Sequence, residues 1–358
     1  MKSLLITLAA STVALSGMAA ARQTNYSELT NLTDLVSNGL FHGNTLLADI
    51  NNDGQYELIA KGRDLNAGWA NTLKALYLDE SGSTFATSTD LDTPDDCMWE
   101  RIIYAIDYNN DGNLDLIYAS SWNAKLMKGD GTGHFEMVED FALDGEMSID
   151  GEDAEKWYGG TLGVADFNGD GYQDILVSGW ADDFGSDCCR IWKNDGTGKF
   201  SEVIVGNTAG TEKGQVIFAD LTGNGLLDVF ITGTSCPNNW ELAAYIYKNN
   251  GDDTFTKLDA GLPGFQCSGA DWCDLNGDGH IDLVYAGENG DLKNSVYAFN
   301  EGDGTFTAVT DKLGQHRGGA SVLACDMNNN NVPDILLMGY MDGDGPRHFQ
   351  IYNGAGSR

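Results

Sequence analysis

The segment DYNNDGNLD (residues 107–115) carries oxygen-bearing side chains at alternate positions, beginning with Asp107, Asn109 and Asp111, and has a glycine at the sixth position. Where an extended segment turns, side chains at positions one, three and five converge. A backbone carbonyl at position seven and the carboxylate of Asp115 at position nine complete a cage of oxygen atoms. Because Ca²⁺ prefers about six to eight oxygen ligands and glycine supplies a backbone conformation that other residues avoid, this segment predicts a calcium-binding loop.

Six segments of this pattern, here called acidic loops one to six, recur along the chain. Their first residues are separated by 58, 59, 54, 54 and 52 residues, which indicates structural repeats rather than independent domains. The predicted metal ligands are the residues at positions one, three, five, seven and nine, of which position seven contributes its backbone carbonyl. Loop by loop they are Asp49, Asn51, Asp53, Gln55, Glu57; Asp107, Asn109, Asp111, Asn113, Asp115; Asp166, Asn168, Asp170, Tyr172, Asp174; Asp220, Thr222, Asn224, Leu226, Asp228; Asp274, Asn276, Asp278, His280, Asp282; and Asp326, Asn328, Asn330, Val332, Asp334.

The loops differ in the number of carboxylates that they offer to a cation. Loops one, two, three and five have three each, with Glu57 in place of the final aspartate in loop one. Loop four has the neutral Thr222 and Asn224, and loop six has Asn328 and Asn330 and lacks the glycine. We expect about four strong calcium sites and up to six in all. The alternative interpretation is a set of Asx-rich turns that bind no metal.

The elements around the loops are predicted to be strands. A second landmark, a glycine-rich turn followed by an aromatic residue, recurs in five repeats and ends at Phe85, Phe135, Phe200, Phe255 and Phe306. Such turns between alternating runs indicate hairpins, so each repeat should contain four short strands. Position twelve of loop two, where an EF-hand has its glutamate, is Tyr118 inside a predicted strand. Four-stranded repeats without a convincing helix predict an all-β fold, a β-propeller.

The two ends of the chain are predicted to complete one blade together. The sixth repeat stops after Tyr352–Gly354, where an aromatic residue and a fourth strand should follow. The segment YSELTNL (Tyr26–Leu32) matches the fourth-strand segment FSEVIVG that begins at Phe200. We therefore predict six blades, with an N-terminal strand closing the C-terminal blade and covering exposed sheet edges. The alternative is seven blades with one unrecognisable repeat.

The stretch YGGTLGVADFNGDGYQDILVSG (residues 158–179) resembles the integrin-type FG-GAP, or VCBS, repeat family, and the resemblance extends over nearly all of the chain after residue 21. It implies an exported bacterial member whose integrin α-like loops, of the form DxDxDGxxD, bind calcium between the first two strands of each blade. Because the family includes fungal lectins as well as polysaccharide lyases, it implies a binding or adhesion module for glycan or extracellular protein. A carbohydrate-active enzyme such as a polysaccharide lyase is the alternative, and a purely structural scaffold is a third.

The N-terminus and the charge indicate where the protein works. Lys2, the apolar stretch 4–15 and the small residues 19–21 predict a signal peptide over residues 1–21, followed by one propeller domain over residues 22–358. We expect export to the periplasm, the outer surface or the medium, no membrane insertion, and a monomer. With 54 acidic and 20 basic residues, the net charge of −34 disfavours nucleic acid as a partner.

Aromatic residues predict a ligand face at the blade ends opposite the acidic loops, where a sugar ring could stack. The candidate residues are Trp99, Trp122, Trp157, Trp180, His316, Arg317 and Tyr340. The alternative interpretation is that the tryptophans pack between adjacent blades. Catalysis has less support, because the sequence contains no GxSxG, HExxH or Walker motif and its histidines are scattered. One of them, His280, lies in an acidic loop, where its ring is expected to face water.

Overall fold

The computed structural model describes residues 40–64, 70–78, 85–91, 103–119, 124–138, 141, 157–181, 186–206, 211–235, 241–289, 295–310, 312–313, 317–326, 331–340 and 347–354. Every regular element in these ranges is a β-strand, which confirms the prediction of an all-β fold. Within the same ranges the structure contains no helix of the length and apolarity needed to cross a membrane. The described chain divides into two compact units, one ending at Phe141 and one beginning after it.

The first unit contains two antiparallel sheets, each with its four strands in chain order. The strands of the first sheet are β1 (Leu40–Ala48), β2 (Glu57–Asp64), β3 (Ala70–Leu78) and β4 (Phe85–Asp90), and those of the second are β5 (Ile103–Ile106), β6 (Asp115–Ala119), β7 (Ala124–Gly129) and β8 (Phe135–Met137). Both sheets follow the predicted pattern of four strands for each repeat.

The second unit contains four more antiparallel sheets, again with sequential strands as neighbours. The third sheet consists of β9 (Trp157–Ala165), β10 (Asp174–Ala181), β11 (Ser186–Asn194) and β12 (Phe200–Gly206); the fourth of β13 (Glu212–Ala219), β14 (Asp228–Ser235), β15 (Glu241–Asn249) and β16 (Phe255–Leu258); the fifth of β17 (Gln266–Cys273), β18 (Asp282–Glu288), β19 (Ser295–Asn300) and β20 (Phe306–Val309); and the sixth of β21 (Arg317–Cys325), β22 (Asp334–Tyr340) and β23 (Arg347–Tyr352).

The two sequence landmarks fix the strand boundaries. In all six sheets the first strand ends at the residue before an acidic loop, and the second strand begins at position nine of that loop. The fourth strand of each four-stranded sheet begins at the aromatic residue that follows the glycine-rich turn. The prediction of strand order and boundaries is therefore confirmed, because the turn chemistry of each repeat leaves the chain no other place to reverse.

Successive sheets within each unit pack face to face. In β13, Val216 and Phe218 contribute to the core shared with the third sheet, whereas Ile217 and Ala219 contribute to the core shared with the fifth. This division follows from the two-residue period of a strand, which sends alternate side chains to opposite faces. A strand between two sheets is buried on both faces, and β14 (Asp228–Ser235) is buried throughout, with its polar side chains Asp228, Thr232 and Thr234 hydrogen-bonded.

The sixth sheet contains three strands within the described residues, and β23 forms one edge of it. Tyr26–Leu32, the segment predicted to pair with that edge, lies outside the described residues. A ring of six blades and its closure by the N-terminal strand therefore stay predictions.

Candidate metal-binding loops

The acidic loops share one backbone conformation. Position four has a positive φ in loops one to five, between 55° and 78°, and the glycine at position six has a φ between 81° and 93°. In loop six, where glycine is missing, Asn331 takes the same left-handed conformation with φ at 62°. Asparagine tolerates this region better than most residues, so the substitution preserves the turn.

The first aspartate of each loop holds the turn closed. In loop three, Oδ1 of Asp166 accepts the N–H of Asp170 at 3.1 Å, and Oδ2 accepts the N–H of Gly171 at 2.9 Å. Loops one, two, four and five repeat both hydrogen bonds. In loop six, Oδ2 of Asp326 accepts the N–H of Asn331 at 2.7 Å. Residues 327–330 lie outside the described residues, which leaves the predicted ligands Asn328 and Asn330 without a described position.

The third and fifth residues turn their oxygens toward the same short segment. In loop five, Oδ1 of Asn276 accepts the N–H of Asp278 at 2.9 Å, and Oδ1 of Asp278 accepts the N–H of His280 at 2.8 Å. Loops one, two and three have the same pair of bonds. In loop four, Asn224 makes the second of them, donated by Leu226. In loops one, two, three and five, oxygens of positions one and three thus accept the same N–H, that of position five.

The ninth residue is a buried carboxylate, and in loop five it bonds both the loop and the end of the third strand. Oδ2 of Asp282 accepts the N–H of Leu275 at 2.8 Å, and Oδ1 accepts the N–H of Asn300, at the end of the third strand, at 2.8 Å. Asp115, Asp174 and Asp228 are buried in the same way. Burial raises the pKa of Asp115 and of Asp174 to about 7, because removal from water disfavours the charged form.

Loop one differs at this position because glutamate is longer than aspartate. Glu57 is also buried, and its Oε2 accepts the N–H of Ile50 at 3.0 Å while its Oε1 accepts the amide of Asn51 at 3.3 Å. Burial raises its pKa to about 7, as it does for the aspartates. The replacement in loop one therefore preserves both the burial and the hydrogen bond to position two.

The donor set of the loops fits a hard cation. Positions one, three, five and nine offer only carboxylate, amide or hydroxyl oxygens, which suit Ca²⁺ and not Zn²⁺. Loops one, two, three and five each contain three carboxylates, but the His, Cys, Asp and Glu side chains of the described ranges form no group of three or more that could hold a metal. A cation in loop three would be held by Asp166, Asn168, Asp170 and Asp174. Calcium in these loops stays a prediction.

The side chain at position seven packs on the glycine-rich turn of its own sheet. A Cβ built on Gly302 would lie 2.6 Å from the His280 ring, and one on Gly196 would lie 2.3 Å from the Tyr172 ring. The His280 ring is partly buried where it packs on this turn, so it faces water only in part. These turns require glycine both for contact and for a positive φ.

An asparagine at the end of the third strand ties loops four and five each to a neighbouring loop, and sequence reasoning missed it. Nδ2 of Asn249 donates to the carbonyl of Leu227 in its own loop at 3.2 Å and to that of Phe167 in loop three at 3.0 Å. Its Oδ1 accepts the N–H of Gly251 at 2.9 Å. Asn300 repeats this arrangement between the fifth and fourth sheets. The sequence does mark these two residues, because both asparagines lie two residues before a glycine of the glycine-rich turn.

A lysine side chain forms an ion pair with acidic loop two. Nζ of Lys128, next to the last residue of β7, lies 3.0 Å from Oδ2 of Asp111 at position five. This hydrogen bond raises the pKa of the Lys128 ammonium. In loops three and five, the corresponding carboxylate oxygen accepts the amide of Asn168 or Asn276, and in loop two Asn109 bonds Asp111 beside the lysine.

The predicted ligand face is described only in part. Trp99, Trp122 and His316 lie outside the described residues. The backbones of Trp157 and Trp180 lie at the end of the third sheet opposite its acidic loop, as Cα partners of Ala181 and Tyr158. Arg317 and Tyr340 are Cα partners at the corresponding end of the sixth sheet.

In the fourth and fifth sheets, the strand ends opposite the acidic loops carry polar side chains. Oγ1 of Thr234 donates to Oε1 of Gln266 at 3.2 Å, and Nε2 of Gln266 donates to Oε2 of Glu288 at 3.3 Å. The fourth and fifth sheets therefore present a row of hydrogen-bonding groups at the ends where the third and sixth have aromatic residues.

Sequence comparison identifies the repeat. The model of a family described as an FG-GAP-like repeat matches residues 107–177, 166–231 and 274–337, which together exceed half of the chain. The chain belongs to the FG-GAP-like repeat family. Each match begins at the first aspartate of an acidic loop and runs past the next loop, so the FG-GAP-like repeats coincide with the structural ones. No curated protein matches the chain.

Solved structures similar to this FG-GAP-like chain include a lectin of Agrocybe aegerita that recognises non-reducing terminal N-acetylglucosamine (25% identity, 75% of this chain and 66% of the lectin, TM-score 0.49). They also include the biofilm matrix protein Bap1 of V. cholerae (19% identity, 75% of this chain and 38% of Bap1, TM-score 0.38). A third is the sialidase of Trypanosoma rangeli (9% identity, 87% of this chain and 54% of the sialidase, TM-score 0.46). The chain spans less than two thirds of each of these proteins.

Proposed function

We propose that this chain is an exported, calcium-binding β-propeller of six blades that serves as a binding or adhesion module for a glycan or an extracellular protein. The observation that supports it most is the repetition of one loop conformation and one all-oxygen donor set in five described loops. Calcium bound there would neutralise carboxylates that otherwise repel one another across a tight turn. The protein's own residues position the ligands, through backbone N–H groups donated to positions one, three, five and nine.

We propose that the segment Tyr26–Leu32 supplies the fourth strand beside β23. Its match to the fourth-strand segment at Phe200 and the three described strands of the sixth sheet support this. Deleting residues 22–32 should expose the edge of β23 and cause aggregation or loss of cooperative unfolding. Light scattering and thermal melting measure both effects.

A graft provides the control for this deletion. A variant with FSEVIVG, the sequence of Phe200–Gly206, in place of residues 26–32 should melt like the wild type, since it restores a fourth strand. Unchanged melting of the deletion variant would contradict closure by this segment.

We propose that the ends of the strands opposite the acidic loops bind the ligand. The aromatic residues whose backbones lie at the ends of the third and sixth sheets, and the polar side chains of Gln266 and Glu288, support this proposal, because sugar rings use stacking and hydrogen bonds. A glycan array with calcium present would identify the ligand. A parallel assay for polysaccharide cleavage tests the enzyme alternative, and cleavage would contradict a role in binding alone.

The double substitution Trp122→Ala and Trp180→Ala should weaken binding to the glycan identified on the array by roughly tenfold, because two stacking contacts are lost. The melting temperature should change little. Trp192→Ala is the matched control, since that ring is fully buried and its loss should cost about 3–5 kcal/mol of folding stability. A drop in melting temperature as large as that of the control would show that the two tryptophans pack between blades.

A further inference from the structure

The penultimate residue of the third strand lies beside the acidic loop of its sheet, and the type of this residue differs from sheet to sheet. In the pairing of second and third strands, Lys128, Lys193 and Phe299 occupy equivalent positions in the second, third and fifth sheets. Loops two, three and five carry the same donor types at positions one, three, five and nine. The differences among these three sheets therefore show what a nearby ammonium does to a loop.

The two lysines have different partners. Nζ of Lys193 bonds Oδ2 of Asp253 at 2.7 Å, in the glycine-rich turn of the fourth sheet, so its direct bond lies outside loop three, although Asp170 and Asp174 also interact with its charge. Nζ of Lys128 lies 3.0 Å from Oδ2 of Asp111, a predicted calcium ligand. The fifth sheet has the uncharged Phe299 at this position. Loop two is therefore the loop of these three in which an ammonium bonds a predicted ligand directly.

We propose that Lys128 is a built-in counter-ion of acidic loop two that competes with calcium for Asp111. The proposal rests on the proposed calcium binding of the loops. Without metal, the ammonium neutralises part of the charge of Asp111 and of the nearby Asp115. For calcium to take the same oxygen, the ammonium must leave it and then lies within a few ångströms of a like-charged ion. Loop two thus has a lower calcium affinity than loops three and five, so loops three and five bind calcium at lower concentrations.

The size of the effect follows from the exposure of the pair. The side chains of Lys128 and Asp111 are 45% and 30% exposed, so water screens their attraction considerably. Replacing Lys128 with the uncharged Met removes both the competing bond and the repulsion of the bound ion. We expect Lys128→Met to tighten calcium binding at one site by roughly five- to tenfold.

The experiment compares Lys128→Met with the matched control Lys193→Met in the full chain. Calorimetric titration with calcium should show one site tightened in Lys128→Met and the wild-type affinities in the control. Adding Asp111→Asn to Lys128→Met should abolish the tightened site, which assigns it to loop two. Melting supplies a second readout. In chelator, Lys128→Met should melt below the wild type, and in saturating calcium the difference should vanish or reverse.

Each outcome decides between the alternatives. Equal loss of melting temperature in chelator and in calcium, with unchanged affinities, would assign Lys128 a packing role only and overturn the proposal while leaving calcium binding intact. A wild-type chain that binds no calcium would overturn the proposed function itself. Equal tightening in the two lysine variants would attribute the effect to net charge and not to the contact with Asp111.

Discussion

Removing calcium should lower the melting temperature of the protein by on the order of 10 °C or more. A ligand at a hundredfold excess over its dissociation constant stabilises the folded state by about 2.7 kcal/mol for each site. Loss of about four such sites is a large fraction of the stability of an ordinary protein. Thermal melting in EDTA, followed by titration with calcium, measures the effect directly.

Magnesium is the control for this prediction. It demands a tighter octahedral arrangement and gives up its water reluctantly, so it should restore the melting temperature poorly. A melting temperature that is the same in EDTA and in calcium would contradict a stabilising role for the metal. Equal recovery with magnesium would instead indicate general charge screening of a chain with a net charge of −34.

Asn249→Ala should destabilise the protein by about 2–4 kcal/mol, because it leaves the buried carbonyl of Phe167 and the partly buried carbonyl of Leu227 and N–H of Gly251 without their partner. The adjacent Asn250→Ala is a matched control, since that side chain is exposed and bonds surface hydroxyl groups. Its effect should stay within about 0.5 kcal/mol.

Urea unfolding of both variants in EDTA separates this hydrogen-bond network from any contribution of metal. Equal stability of Asn249→Ala and Asn250→Ala would show that the buried asparagine does not hold the third and fourth sheets together. A loss seen only in calcium would mean that Asn249 acts through the metal loop.

Much of the fold could be predicted because its determinants are local. Each acidic loop and each glycine-rich turn specifies a chain reversal within about ten residues, and therefore the ends of four strands such as β9 to β12. The convergence of Asp166, Asn168 and Asp170 could be predicted for the same reason, since alternate residues of a turning segment share one side.

Contacts between distant parts of the chain could not be predicted in this way. The position of Asn249 two residues before a glycine marks the residue but not its partner, because its bond to Phe167 joins residues 82 positions apart. Lys128 and Lys193 precede similar turns, yet one bonds its own loop and the other bonds the next sheet. The packing of the His280 ring on Gly302 depends likewise on the distance between two turns of a folded sheet.

Calcium content at equilibrium tests the proposed role of the acidic loops most directly. Dialysis against about 1 mM calcium, followed by elemental analysis, should give about four tightly bound ions for each chain and no more than six. Asp278→Asn, which removes a carboxylate from loop five, should lower the number of tight sites by one. A chain that retains no calcium under these conditions would contradict the proposal, and the six loops would then be Asx-rich turns that shape the sheets without metal.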